Sequence, residues 1–218
     1  MTSSPSTDAQ VPIDRPNSPA STIPAPATPD IMRPYYRCLR FMAQWLFALY
    51  FRGRVFGMRN VPIEGPVLLA CNHQSYFDPV CAALPLYREV HFMARDTLFK
   101  NPIFRMLIES LNAFPVKRGA ADVGAVKEIL RRLKRGKQVI VFPDATRTRD
   151  GSIGEINPNS LLIAKRASAV IVPTIIDGAF EAWPRTQALP SPRPIYLTYA
   201  EPVTVDQVRE WPIEQIAE

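Results

Sequence analysis

Apolar positions along the chain come in short runs that alternate between two periods. PVLLAC (66–71), EVHFMA (89–94), AFPVK (113–117), QVIVF (138–142), AVIVPTII (169–176) and PIYLTY (194–199) are brief, rich in β-branched and aromatic residues, and bounded by polar turns. They predict buried strands. Between them the pattern turns helical. In DVGAVKEILRRLKRG (122–136), Val123, Val126, Ile129, Leu130 and Leu133 fall on one face and Gly136 supplies a stop. FKNPIFRMLIES (99–110) and NSLLIAKRA (159–167) predict two more helices, and Asp78-Pro79 opens another, with Asp78 as N-cap and Pro79 at the first helical position. Strands alternating with helices at this spacing predict an α/β fold, a central and mostly parallel sheet flanked by helices.

The first fifty residues follow a different pattern. Residues 35–51, YYRCLRFMAQWLFALYF, are apolar and aromatic, but the uninterrupted part, Phe41 to Phe51, is 11 residues. A spanning helix needs about 20. Arg33, Arg37, Arg40, Arg52 and Arg54 flank or interrupt it. A short, arginine-bracketed aromatic helix over 33–54 is predicted to lie on a membrane surface; the alternative is a helix packed on the domain's own core. Residues 1–32 hold seven of the 23 prolines in the first thirty positions, with Ser, Thr, Ala and Asp making up most of the rest. Such a stretch has too little apolar surface to offset its ordering entropy and is expected to be a disordered tail. It lacks the basic start and apolar core of a secretory signal. Residues 55–218 are left as the folded domain.

Composition adds charge to this picture. The formal net charge is +6, and the tail sets Arg15 against Asp8, Asp14 and Asp30, so the folded part is more basic still. That favours a polyanionic partner, lipid phosphate among them. Nucleic acid is disfavoured, because no aromatic-basic interleaving or nucleic-acid motif accompanies the charge. Cys38, Cys71 and Cys81 form no C-x-x-C pair and are expected to be buried free thiols in a reducing compartment. Nothing calls for a metal or a bound cofactor. There is no G-x-S-x-G elbow and no P-loop.

Candidate chemistry gathers where strands run into loops. After the first strand comes NHQSYFD (72–78), with His73 and Asp78. Five residues apart, they would lie about 140° apart on a helix, but a turn can fold carboxylate onto imidazole. That fixes the tautomer and leaves the second ring nitrogen as a base. Alternatively Asp78 only caps its helix. AFPVKRG (113–119) delivers Lys117 and Arg118 to a loop, where two cations suit phosphate or simply face water. VFPDATRTRDGS (141–152) places Asp144, Thr146 and Arg147 after another strand, with Arg147 available to a phosphate or to Asp144. His91, inside a strand, is read as structural.

In their order and spacing these blocks resemble the glycerolipid acyltransferase family, which includes the 1-acylglycerol-3-phosphate acyltransferases. The chain has NHQSYFD at 72–78 for N-H-x₄-D, NAFPVKR at 112–118, FPDATR at 142–147 for F-P-E-G-T-R, and VIVPTII at 170–176. IDGAFEAWPR (176–185) is also similar to what bacterial members carry. The resemblance implies His73 as general base with Asp78 as its partner, and Arg118 and Arg147 on the acceptor's phosphate. Asp144, Ala145 and Thr146 would complete the acceptor site. It implies an acyl-CoA or acyl-carrier-protein donor, a lysophospholipid acceptor and a place on the cytoplasmic face of a membrane. Three positions depart from the pattern: Asn112 and Ala145 stand for glycine, and Asp144 for glutamate. These departures leave open a different lysolipid acceptor or a non-catalytic lipid-binding relative.

Overall fold

The computed structural model describes residues 33–117, 122–144 and 146–217. The tail, Arg118 and Ala145 lie outside the described residues. The elements run α1 (Pro34–Leu49), β1 (Arg54–Phe56), β2 (Val67–Cys71), α2 (Asp78–Ala83), β3 (Val90–Arg95), α3 (Pro102–Ser110), β4 (Ala113–Val116), α4 (Val123–Lys134), β5 (Gln138–Val141), α5 (Leu162–Ala167), β6 (Val170–Asp177), α6 (Ala179–Ala182), β7 (Tyr196–Tyr199), α7 (Val205–Glu210) and α8 (Ile213–Ala217). The strands form one sheet in the order β1-β7-β6-β2-β5-β3-β4. Every pair is parallel except β6 with β7. The turn leaving β6 requires Gly178: φ is 78°, and an added Cβ would stand 2.1 Å from the Pro194 carbonyl oxygen.

The sheet is covered on both faces, as a parallel sheet must be, and strand alternation divides the core in two. Val67, Leu69, Cys71, Ile140, Val172 and Ile176 point to one side, where Phe47 and Phe51 and the helix residues Cys81 and Ala82 meet them. Leu68, Val139, Val141 and Ile171 point to the other, against Ile129 and Leu133 of α4, Ile163 and Ala164 of α5, and Val208 of α7. Since both faces are buried, these strands read as continuous apolar runs in sequence.

Several expectations need correction. The buried stripe of α4 is Ala125, Ile129 and Leu133. Val123 and Val126 are exposed, because the helix meets the sheet along an i, i+4, i+8 row rotated by about a sixth of a turn from the predicted face. The helix predicted from 99 begins at Pro102, since Asn101 caps it by accepting from the Ile103 and Phe104 N–H groups. Cys71 and Cys81 are buried but Cys38 is exposed, because it lies on the side of α1 that faces away from the core. Asp78 is not an N-cap: Phe77 holds that position and Asp78 is the first helical residue.

Helix α1 touches the domain mainly through buried Tyr36 and Phe47. It leaves Leu39, Phe41, Met42, Trp45, Leu46 and Leu49 exposed. No helix among the described residues is long and apolar enough to cross a membrane. The start of α1 is fastened by a polar clasp. Arg33 donates from Nη2 to Glu89 Oε2 (2.8 Å), to the Ser110 carbonyl (2.9 Å) and to Asn112 Oδ1 (2.7 Å). Asn112 Nδ2 donates to Glu89 Oε2 at 2.9 Å. Asn112 sits at φ 66°, a left-handed conformation that asparagine tolerates better than most residues. The departure at this position therefore builds a structural joint. Burial alone would raise the Glu89 carboxyl, but the hydrogen bonds from Arg33 and Asn112 outweigh it and hold the group below its ordinary value.

Candidate active site

The site forms at the carboxyl ends of β2 and β5, which are neighbours in register with Ala70 opposite Val141. His73 follows β2 by two residues and Asp144 follows β5 by three. Strand pairing therefore joins two loops 71 positions apart in sequence. Asn72 anchors the first loop: its buried amide donates to the Ile176 carbonyl (2.8 Å) and accepts from the Ile176 N–H (2.7 Å), continuing the ladder toward β6 through a side chain. The second loop grips the first. Thr148 N–H donates to the His73 carbonyl (2.9 Å), Gln74 Nε2 donates to the Gly151 carbonyl (2.8 Å), and the His73 N–H donates to Asp144 Oδ2 (3.0 Å).

The chain turns back over residues 73–78, and Asp78 is the reason. Its side chain is fully buried, and Oδ2 accepts from Gln74 N–H (2.6 Å), Ser75 N–H (2.7 Å) and His73 Nδ1 (2.8 Å). An oxygen that already accepts two backbone N–H bonds is an acceptor, so the ring proton belongs on Nδ1 and the lone pair on Nε2. The imidazole is oriented further by Phe142, whose ring stacks on it at 4.0 Å with a 22° interplanar angle. Its side chain retains 16% exposure. The pair can therefore take a proton from a hydroxyl at Nε2 while Asp78 stabilises the imidazolium that forms.

Asp144 reaches this centre despite being one methylene shorter than glutamate. It holds the backbone of His73 and does not pair with Arg147. Burial pushes its carboxyl above the ordinary range; the hydrogen bond from the His73 N–H opposes the shift, and the charge of Asp78 adds to it. Arg147 lies over the ring of Tyr76, with its guanidinium carbon 3.7 Å from the centroid. Thr146 is exposed at the same loop. Lys117 is tethered by its backbone, its N–H donating to Asp122 Oδ2 at 2.8 Å. His91 lies in β3 against Arg132 of α4, away from this site. Burial pushes the Cys71 and Cys81 thiols up, leaving them neutral and unreactive.

The structure thus joins His73, Asp78 and Asp144 directly, with Arg147 one residue from the Thr148 tether. Sequence reasoning missed Asn72 as an anchor, although it opens the NHQSYFD block. It also missed Phe142 and Tyr76, for which only adjacency to that chemistry gave a signal.

A family model described as Acyltransferase matches residues 52–177. The chain is 26% identical over 138 residues to a chloroplastic 1-acyl-sn-glycerol-3-phosphate acyltransferase of Arabidopsis thaliana, covering 62% of this chain and 38% of that protein. It is 27% identical over 126 residues to the 1-acyl-sn-glycerol-3-phosphate acyltransferase of Bacillus subtilis, covering 57% of this chain and 62% of that protein. The chain thus spans less than two thirds of the length of these curated relatives. In fold it is similar to the crystal structure of the 1-acyl-sn-glycerophosphate acyltransferase of Thermotoga maritima, with a TM-score of 0.64 at 24% identity over 86% of this chain and 81% of that one. With the family match extending over more than half of its length, from the end of α1 through β6, the chain belongs to the acyltransferase family.

Proposed function

We propose that this protein transfers a fatty acyl group from an acyl-CoA or acyl-carrier-protein thioester to the free hydroxyl of a lysophospholipid, with 1-acylglycerol-3-phosphate as acceptor and phosphatidic acid as product. The observation that carries the reading is the buried Asp78 carboxylate held 2.8 Å from Nδ1 of a partly exposed histidine. His73 Nε2 takes the hydroxyl proton as the acceptor oxygen bonds to the thioester carbon. The C–S bond then breaks, and the imidazolium returns the proton to the leaving thiolate. No acyl-enzyme is required. Arg147 and, by the family resemblance, Arg118 hold the acceptor phosphate, which turns binding into orientation. Asp144 fixes the loop that carries His73. The names of the two relatives, both 1-acyl-sn-glycerol-3-phosphate acyltransferases, support this acceptor.

In this reading residues 1–32 are a tail, 33–54 an interfacial helix and 55–218 the catalytic domain, seated peripherally or monotopically on the cytoplasmic face of a membrane. The exposed apolar face of α1, bracketed by Arg37 and Arg52, supports that seating. The non-catalytic alternative rested on the departures at 112, 144 and 145; Ala145 lies outside the described residues, and the described geometry gives the other two residues other work. Asn112 belongs to the Arg33 clasp, and Asp144 reaches the His73 backbone.

The test is thioester consumption by purified protein in detergent or liposomes, with both donor types against a panel of lysophospholipids. Wild type is expected to turn over. His73→Ala is expected to remain folded and lose the activity. Undiminished turnover by His73→Ala would overturn the base assignment, and liposome binding without turnover on any acceptor would favour the non-catalytic reading.

A further inference from the structure

Arg147 is the described cation of the site, and the way it is held is unusual for a residue meant to meet phosphate. An arginine positioned by a carboxylate is partly neutralised, and its N–H fork is occupied by that partner. Among the described residues no carboxylate pairs with Arg147, and its buried Nη1 has no hydrogen-bond acceptor. The guanidinium instead rests on the face of Tyr76 at 3.7 Å from the centroid, where the ring quadrupole attracts the cation. A ring face orients the guanidinium plane while leaving its charge whole and its N–H edges available.

Tyr76 is itself placed firmly. It lies inside the turn that Asp78 closes, two residues before that carboxylate, and it is 54% exposed. Its ring meets Trp183 at 6.4 Å between centroids with a 53° interplanar angle, and Trp183 in turn meets Phe77 at 6.3 Å. Ser75 Oγ donates to the Trp183 carbonyl at 2.7 Å, tying the segment after α6 to the turn. One short turn therefore carries both the base pair and the platform for the phosphate-binding cation.

We propose that Tyr76 is the positioning residue for the acceptor's phosphate, acting through Arg147 and through its ring rather than its hydroxyl. The proposal rests on the function argued above and deepens it: the site prefers a lysolipid carrying an anionic phosphate over one without it, and Tyr76 sets that preference.

The experiment compares wild type with Tyr76→Phe, Tyr76→Leu and Tyr76→Ala in nonionic micelles. Equilibrium binding of 1-acylglycerol-3-phosphate is measured against the monoacylglycerol of the same chain, alongside turnover. Losing a cation–π platform is expected to cut the phosphate preference by roughly 3- to 30-fold in Tyr76→Ala. Tyr76→Leu, which keeps apolar volume against Trp183, should behave like Tyr76→Ala, and Tyr76→Phe should match wild type. In turnover, KM for the acceptor should rise by the same factor while kcat and KM for the thioester stay within about twofold. Retained preference in the Leu and Ala variants, a Phe variant as impaired as Ala, or no phosphate preference in wild type would each overturn the proposal. Absent turnover with a Tyr76-dependent preference would refute the catalytic reading and leave this one standing. Turnover with a preference indifferent to Tyr76 would do the reverse.

Discussion

Asp78→Asn separates the two jobs of the buried carboxylate. The substitution keeps shape and volume, and an amide oxygen in the Oδ2 position can still accept from Gln74 and Ser75. The amide nitrogen must then occupy the Oδ1 position, which is buried and has no hydrogen-bond partner. An unsatisfied buried donor costs about 1–3 kcal/mol, which for a chain of this size lowers the unfolding temperature by about 2–12 °C. The catalytic effect is expected to be larger. Without a carboxylate charge the imidazolium at His73 loses its counter-ion, while the amide oxygen in the Oδ2 position still accepts from Nδ1–H and keeps the tautomer. A loss of about 10²–10⁴ in kcat is expected, the range of a general-base contribution, equivalent to about 3–5 kcal/mol of barrier. The assay pairs thermal unfolding with thioester consumption at saturating donor. A folded Asp78→Asn with turnover within about tenfold of wild type would refute the coupling of carboxylate to base. A variant unfolded at assay temperature would show that Asp78 matters first as the clamp of the 73–78 turn.

The remaining predictions concern the joint between α1 and the domain. Asn112→Ala removes both side-chain hydrogen bonds to the clasp and puts alanine at φ 66°; it should destabilise the domain by about 1–3 kcal/mol. Asn112→Gly, which relaxes the backbone while losing the same bonds, should cost less, and chemical denaturation orders the two. The Glu89 carboxyl is held below its ordinary value of 4.5 in the folded state, so its stabilising contribution is complete above that value. It is lost as pH falls through the lower folded-state value. Unfolding temperature should therefore drop more steeply below pH 4.5 in wild type than in Glu89→Gln, and equal slopes would contradict the Arg33–Glu89 clasp.

Much of the fold was legible in order of residues alone. Each of the six predicted strands overlaps an observed one; β2 and β5, buried on both faces, need an unbroken apolar run wherever they sit, and the others carry enough apolar residues on their inner face to show. β1 was not legible: three residues with alternating exposure make too weak a pattern, and their pairing with β7 is decided by the far end of the chain. The antiparallel turn of β7 was likewise hidden, since direction within a sheet depends on the connection and leaves no local trace.

The site divides the same way. The block NHQSYFD held its own geometry, since a carboxylate five residues after a histidine can satisfy two intervening N–H groups only by folding the turn onto itself. Cap or partner was a question of which N–H groups the carboxylate would meet, and only the folded turn answered it. The sequence by itself determined the two-faced sheet, the loops that carry polar residues, and the placing of His73 and Asp78 in one short block. Tertiary structure decided that Asp144 grips the His73 backbone, that Phe142 stacks on the imidazole and that Arg147 rests on Tyr76. Those contacts join residues up to 71 positions apart. They exist because β2 and β5 lie side by side, and strand order is set by the competition among all possible pairings rather than by any one segment.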